Sequence, residues 1–469
     1  MGFVFYDFET TGVSVAFDQP LQFAAVLTDE RLNEVERVEL RCRLAPHVIP
    51  SPYALIVTGI CPEQLVDPDL PELFEFTQAI MDCLTRWSPA TWVGYNSIRF
   101  DEEVLRQAFY QNLQPKIYAT QMNGNKRLDI LTAVYAVWCR NRSLLNWPID
   151  DKGRPVFKLD RLAPENGFDS HDAHDALGDV EATLHLARKI AFGDPELWSS
   201  LLENRDKKRV LDKLSNFQPF ELVSRFGGGP PEPYIGCFCG VSPSNPSVAA
   251  FLDLEKADPS ELIEASDTTI LRAINGSPKV IRRLSINKNP AVFSLEYPIP
   301  KYLNKANIVA ANPDFRARVA RLLDEEKLVD ASAGQKPVEK QIYGGFYSKS
   351  DQDLLTEFQR ADWARRQEIV GKLSDPRLRQ LGRRLIAFYQ NNLLTESETQ
   401  QFRTFVLERW NSPASQSVEW TTAESASRAI HDLRSRSDAD HELLNSIETF
   451  IAGRISQMQL EVPKSAPLA

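Results

Sequence analysis

Apolar residues fill both faces of the first segment, Phe3-Val-Phe-Tyr-Asp-Phe-Glu9, so residues 3–9 read as a buried strand that stays apolar until two acids appear. Gln22 to Thr28 and Glu34 to Leu44 read as a second and third strand, joined by the polar turn Asp29-Glu-Arg-Leu-Asn33. From Leu70 to Trp87 apolar side chains recur at 73, 76, 80, 84 and 87, which is helical spacing. Trp92-Val-Gly-Tyr95 is a short strand feeding a helix that begins near Asp101. Further helices are expected over 129–139 and from about 175 to 191, the latter with Leu177, Val180, Leu184, Ala187 and Ile190 on one stripe. A three-strand antiparallel start followed by alternating helices and strands predicts an α/β fold whose mixed sheet is covered on both faces.

The pattern changes after about residue 200. Asn204-Arg-Asp-Lys-Lys-Arg209 is a local basic run, and Gly227-Gly-Gly-Pro-Pro-Glu-Pro233 is a breaker cluster. Short β-like runs at 219–225, 234–239, 248–253 and 279–297 predict a small β-rich domain. Beyond Asp351 the periodicity is helical almost to the end, with Lys464-Ser-Ala-Pro467 a frayed tail. The expected division is 1–200, 201–350 and 351–469, in line with the roughly 150 residues of an ordinary domain and a chain of 469.

Composition narrows the functional classes. Forty-three per cent hydrophobic and 25% charged residues is ordinary globular usage, which excludes wholesale disorder. No run of about 18 apolar residues exists, so no membrane helix is available, and Met1-Gly-Phe-Val-Phe-Tyr-Asp7 has no leader pattern. A cytoplasmic protein is expected. Fifty-four Lys and Arg against 64 Asp and Glu give a net charge of −10, which argues against whole-surface attraction to nucleic acid and leaves room for a local basic groove. The cysteines, Cys42, Cys61, Cys83, Cys139, Cys237 and Cys239, form no Cys-x-x-Cys pair and read as buried reduced thiols.

The acids carry the chemistry. Asp7 and Glu9 stand two apart on a strand, so both leave the same face, and two acids among Val4, Phe5, Tyr6 and Phe8 are costly unless neutralised. Thr10-Thr-Gly12 then ends the strand in a tight turn. A divalent cation is the natural neutraliser, and hard oxygen ligands select Mg²⁺ or Mn²⁺ over zinc. Asp101, in Gly94-Tyr-Asn-Ser-Ile-Arg-Phe-Asp101, follows a short strand at a helix start, where it either caps the dipole or joins the first two acids. Asp179 sits one position from the apolar stripe 177/180/184, at the edge of a buried face. His174 stands five residues earlier and faces the same site only from the entering loop or first turn, where it suits a general base. His171 is the nearby competitor.

In this order along the chain, Asp-x-Glu-Thr-Thr-Gly, an Asp opening a helix, then His-x4-Asp resembles the DEDDh superfamily of 3′→5′ exonucleases, whose domain has a ribonuclease-H-like fold. The resemblance narrows to the bacterial exonuclease I family through Asp18-Gln-Pro-Leu-Gln-Phe-Ala-Ala25, Thr58-Gly-Ile60, Gly94-Tyr-Asn96, Arg99-Phe-Asp101, Asn146-Trp-Pro148, His174-Asp-Ala176, Ile286-Asn-Lys288 and Tyr343-Gly-Gly-Phe346. It implies a ribonuclease-H-like exonuclease domain, an SH3-like β-rich domain and a C-terminal helical domain. It also implies degradation of single-stranded DNA from a free 3′ end to 5′-mononucleotides by two-metal-ion hydrolysis, in DNA repair and recombination. Two Mg²⁺ ions, with Mn²⁺ as a substitute, are then held by Asp7, Glu9, Asp101 and Asp179, and His174 is the base. Glu9 and Thr10 are expected to read the 3′ end. Arg106, Lys158 (where the family can have arginine) and Lys207 match basic DNA-contacting positions. A monomer is expected, with single-stranded-DNA-binding protein as a partner through its acidic, phenylalanine-ended tail.

Two other readings stand beside this one. RNA-directed relatives such as oligoribonuclease and ribonuclease T share the acids but are essentially one domain, whereas about 270 residues here lie beyond it. A catalytically silent binding module would have to keep four clustered acids without metal, which is costly.

Overall fold

The computed structural model describes residues 1–168, 174–295, 297, 299–325, 336–413, 415–437 and 439–460, with side chains as far as 457. Strand β1 (Phe3–Thr10) is the middle strand of a five-stranded mixed sheet. It pairs antiparallel with β2 (Pro20–Thr28), which pairs antiparallel with β3 (Glu34–Arg41). On its other side β1 runs parallel to β4 (Thr91–Gly94), and β4 to β5 (Lys126–Asp129). β1 and β2 are buried on both faces, while the edge strand β3 is partly exposed and charged, a composition that discourages edge pairing.

The two-residue period of β1 decides what each face meets. Val4, Tyr6 and Phe8 pack with Phe76, Ile80 and Leu84 of the helix Leu73–Trp87 and with Val104 and Phe109 of the helix Asp101–Gln111. Phe3 and Phe5 point the other way, into a core with Ile130 and Val134 of the helix Ile130–Arg140 and Val180 and Leu184 of the helix Ala176–Gly193. Asp7 and Glu9 share the parity of Phe3 and Phe5, so they project toward the side covered by Ala176–Gly193.

A second sheet is antiparallel throughout: β6 (Phe220–Ser224), β7 (Glu232–Val241), β8 (Val248–Asp253), β9 (Ile281–Ser285) and β10 (Ala291–Ser294), in the order β10-β6-β7-β8-β9. The run expected as one strand over 279–297 is broken at 286–290, where Asn289 takes a left-handed backbone with φ 48°. Four helices that the β-like pattern did not announce, Pro259–Glu264, Asp267–Asn275, Pro300–Ala310 and Pro313–Leu322, accompany this sheet. They cover one face of it, Ile270, Ile274, Val309 and Val319 packing on Cys237, Ala250 and Leu252.

From Lys349 onward the elements are helical, but they do not build a core of their own. Leu355, Phe358, Ile369 and Leu381 share a cluster with Phe74, Tyr110 and Leu113 of the first sheet's helices and loops. Val406, Trp410, Ile430 and Ile447 share another with Leu21, Leu44 and Leu55. Val338 and Ile342, before the expected boundary at 350, pack with this helical region. Cys61 and Cys139 are only half-buried, unlike Cys42, Cys83, Cys237 and Cys239, and all six are free thiols. The tail at 464–467 lies outside the described residues.

Glu339 anchors the helical region by charge. Its carboxylate accepts from Arg384 at 2.8 Å and from Arg409 at 2.6 Å, Glu339 and Arg409 being buried and Arg384 largely so. Burial pushes the Glu339 carboxyl up, but the two guanidiniums more than offset this and hold it at about 2, below the usual 4.5. Removing the charge leaves two buried cations facing each other, so Glu339→Gln is expected to cost about 3 kcal/mol at pH 7. A depressed carboxyl stabilises the fold above its unfolded value and loses that contribution as pH falls. The difference between wild type and variant in urea unfolding should therefore be full above pH 4.5 and shrink toward pH 2.

Candidate active site

The helix Ala176–Gly193 crosses the face of β1 that carries Asp7 and Glu9, and Asp179 lies in its first turn. Asp7, Glu9 and Asp179 each bring a carboxylate oxygen to within 4.8 Å of the others. The start of that helix is fixed by Asp175, its N-cap, whose carboxylate accepts the Gly178 N–H at 3.4 Å. The same carboxylate accepts from Gln22 of β2 at 2.9 Å and Arg41 of β3 at 3.1 Å, so the antiparallel strands dictate where the first turn begins. His174 comes immediately before this cap, half-buried and in the left-handed backbone region at φ 70°, in the entering loop as the five-residue spacing requires. Its competitor His171 lies outside the described residues.

Asp101 reaches the site from the opposite edge of β1. β4 accompanies β1 only as far as the pair Phe5–Val93, which leaves the later backbone of β1 without a parallel neighbour. Asp101, the first residue of its helix and 4% exposed, fills that gap and accepts the Phe8 N–H. The loop leading to it is tight. A Cβ on Gly94 would lie 2.5 Å from the Ser97 side chain and 3.0 Å from the Tyr6 carbonyl, so glycine is required. Asp129, at the end of β5, caps the helix Ile130–Arg140 through Leu131 N–H at 3.0 Å and accepts Asn96 N–H at 2.9 Å and Ile98 N–H at 3.3 Å. Behind Asp101, buried Glu102 gathers Arg106 at 3.0 Å, Arg127 at 3.3 Å, Thr120 at 3.0 Å and the Tyr6 hydroxyl at 3.2 Å.

Burial and neighbouring charge raise three of these acids, Asp7, Glu9 and Asp101. Burial pushes Asp7 well above the carboxylate range, and the charges of Asp101, Asp179 and Glu9 push it further. Burial, then Asp179 and Asp101, lifts Glu9 to about 8, and Asp101 also rises to about 8, chiefly by burial. A half-buried to buried set of hard, mutually repelling oxygen donors fits a divalent cation.

The remaining expected contacts are placed unevenly. Thr10 is buried beside Glu9, its hydroxyl donating to the Gly12 carbonyl at 2.7 Å. Lys158 is exposed at the start of the helix Leu159–Glu165, behind Phe157, whose carbonyl accepts the Tyr95 hydroxyl at 2.6 Å. Arg106 is buried, paired with Glu102 and Glu103 and within 3.4 Å of the Tyr343 hydroxyl. Lys207 is half-buried and donates to Ser247 at 3.0 Å, tying the helix Lys207–Leu214 to the second sheet. Asp129 and Glu102 went unnoticed in the sequence, and Asp175 was read only as part of an acidic run favouring a helix start, without its contacts to Gln22 and Arg41. For Asp129 a signal existed, an acid at the end of a short run directly before an apolar helix. A groove of about 600 Å³ opens between the two sheets from Asn96, Ile98 and Asp129, and Arg99, Tyr135, Arg225, Phe226, Arg283 and Lys288 line it.

A ribonuclease-H-like sheet with acids gathered at the end of its middle strand defines an exonuclease domain, and residues 4–187 match the exonuclease family model. Residues 336–453 match the exonuclease I C-terminal domain. Exodeoxyribonuclease I of Haemophilus influenzae is 32% identical over 386 residues, covering 75% of this chain and 79% of the relative. The chain belongs to the exodeoxyribonuclease I family. The fold agrees. Escherichia coli exonuclease I in complex with a dA16 oligonucleotide superposes with a TM-score of 0.83 at 24% identity, over 97% of this chain and 99% of the other. An exonuclease I structure described as SSB/exonuclease I in complex with an inhibitor gives 0.80, also at 24% identity and over the same shares.

Relieving the crowding should stabilise the metal-free protein even as it removes a ligand. Asp7→Asn is expected to raise the melting temperature in EDTA by several degrees and to abolish the further rise that Mg²⁺ or Mn²⁺ gives the wild type, both read by differential scanning fluorimetry.

Proposed function

We propose that this enzyme degrades single-stranded DNA in the 3′→5′ direction to 5′-mononucleotides, with two Mg²⁺ ions, or Mn²⁺ in their place, held by Asp7, Glu9, Asp101 and Asp179. The observation that carries the reading is the convergence of Asp7, Glu9 and Asp179 within 4.8 Å, with Asp101 on the Phe8 N–H beside them. Bound ions supply Lewis-acid stabilisation of the charge that develops on the phosphodiester. His174 takes the proton from the attacking water. It stands half-buried immediately before the helix cap Asp175, in the loop that enters the helix of Asp179. Glu9 and the Thr10–Gly12 turn hold the terminal 3′-hydroxyl, which confines cleavage to strand ends.

The groove between the sheets then carries the strand away from the site. Its Arg and Lys side chains meet phosphates, and Tyr135 and Phe226 offer rings to bases. Lys158 and Lys207 extend the basic surface, whereas the burial of Arg106 favours a role in holding Asp101's helix in place. The units 1–200, 201–350 and 351–469 are read as exonuclease, SH3-like and helical parts of one monomeric clamp. The tail of single-stranded-DNA-binding protein is read as a docking partner, consistent with the relative described in complex with SSB. Free thiols suit a cytoplasmic enzyme of DNA repair and recombination, and among the described residues no helix is long and apolar enough to cross a membrane.

Digestion of end-labelled single-stranded DNA, duplex DNA and RNA with and without Mg²⁺ tests the reading. Single-stranded DNA should be shortened from its 3′ end only with metal, and faster than the other two; preference for RNA, or metal-independent cleavage, would overturn it. Asp179→Ala is expected to abolish cleavage. His174→Ala should lower turnover about 10²–10⁴-fold while calorimetric Mn²⁺ binding persists. A larger loss in His171→Ala would reassign the base.

A further inference from the structure

The turn after Glu9 runs to an exposed tip at Val13, and its shape is set by Asp18. One oxygen of the Asp18 carboxylate accepts the Thr11 hydroxyl at 2.9 Å and the other the Ser14 N–H at 2.8 Å. The same carboxylate occupies the space over Gly12, where a Cβ would lie 2.5 Å from Oδ2. The Thr11 hydroxyl in turn accepts the Gln19 N–H at 3.0 Å, closing the turn onto the start of β2. Burial raises the Asp18 carboxyl, and the cation that opposes this is Arg409.

Arg409 comes from the far end of the chain, in the last turn of the helix Glu396–Trp410. It is buried, and one guanidinium nitrogen donates to Glu339 at 2.6 Å while Nη2 makes no hydrogen bond. Its guanidinium lies 5.0 Å from the Phe17 ring and 5.1 Å from the Trp420 ring. Phe17 and Trp420 pack on each other with centroids 5.1 Å apart, and Trp420 is pinned by its Nε1 donating to the Arg409 carbonyl at 2.8 Å. Phe17 is therefore held by groups from the helical region, and Asp18, next to it, closes the turn within the field of Arg409.

We infer that Arg409 and Trp420 are positioning residues for the 3′ end, fixing the Thr10–Ser14 turn through Phe17 and Asp18 without touching DNA or metal. The inference rests on the reading above, in which that turn receives the terminal nucleotide. A small displacement of the turn moves the terminal nucleotide relative to the carboxylates, and misplacements of about 1 Å can cost about 100-fold in rate. The carboxylates themselves stand on β1 and on helices held by Asp129 and Asp175, so metal affinity is independent of the clasp.

The full-length chain tests this with Asp18→Asn, Trp420→Ala and Arg409→Gln. Each variant is expected to lose roughly 10–100-fold in kcat/KM on single-stranded oligonucleotides and to discriminate less between 3′-hydroxyl and 3′-phosphate ends. Mn²⁺ affinity should stay within about twofold, and the Asp18→Asn/Arg409→Gln pair should lose less than the product of the single losses. Hydrogen exchange should speed up in peptides covering 10–19 and not in those covering 174–185. Unchanged kcat/KM in Asp18→Asn and Trp420→Ala, or losses that follow melting temperature with end discrimination intact, would overturn the inference. If Arg409→Gln does not fold, the other two variants decide. The exchange readout does not depend on activity, and failure of the functional reading would show separately, in a wild type that leaves single-stranded DNA uncut.

Discussion

Like charges forced together out of water govern this molecule. Asp7 and Glu9 are buried by the strand they stand on, Asp101 is drawn to the same strand by a backbone N–H, and Asp179 is delivered by a helix crossing above. No arrangement of the chain relieves their repulsion as well as a divalent cation does, so much of the surrounding structure consists of devices that keep the acids in place. Asp129 braces the loop before Asp101, Asp175 braces the helix before Asp179, and Glu102 ties the helix of Asp101 to Tyr6, Thr120 and Arg127. Each brace is itself an acid, but one satisfied by hydrogen bonds or by guanidinium. The crowded carboxylates differ from the braces in their surroundings rather than in residue type.

Much of this was legible before any coordinates. The shared face of Asp7 and Glu9 follows from the period of a strand, and the place of His174 in the loop entering the helix of Asp179 from the acidic run before that helix. Those are local facts, and local facts survive in sequence. The bracing acids were not legible, because an N-cap reads alike whether it also touches Gln22 and Arg41 or only water. Arg106 shows the same limit: a basic residue one turn after an acid looks available for phosphate, and only the tertiary packing reveals it committed to Glu102 and Glu103. The four helices between 259 and 322 escaped because they are short and begin or break at proline and serine, leaving the β-like runs as the stronger pattern.

The composition shifts near 200 and 350 mark changes of secondary structure, and they conceal the sharing of cores. An apolar helix face has the same periodicity whichever element covers it. Phe74, Tyr110 and Leu113 at the front of the chain meet Leu355, Phe358 and Leu381 near its end, while Val223 and Phe293 of the second sheet complete the core beneath Ile130–Arg140. The second sheet and the helical region therefore act as the outer walls of the first sheet's own interior.

The cluster that joins Leu21, Leu44 and Leu55 to Val406, Trp410, Ile430 and Ile447 has a consequence during synthesis. The strand that bears the acids leaves the ribosome long before the side chains that seal this flank. Until translation passes Ile447 the nascent chain presents a bare apolar face, a natural binding place for a chaperone. A chain truncated before Val406 would keep Asp7, Glu9, Asp101 and Asp179 and leave one apolar flank open to aggregation.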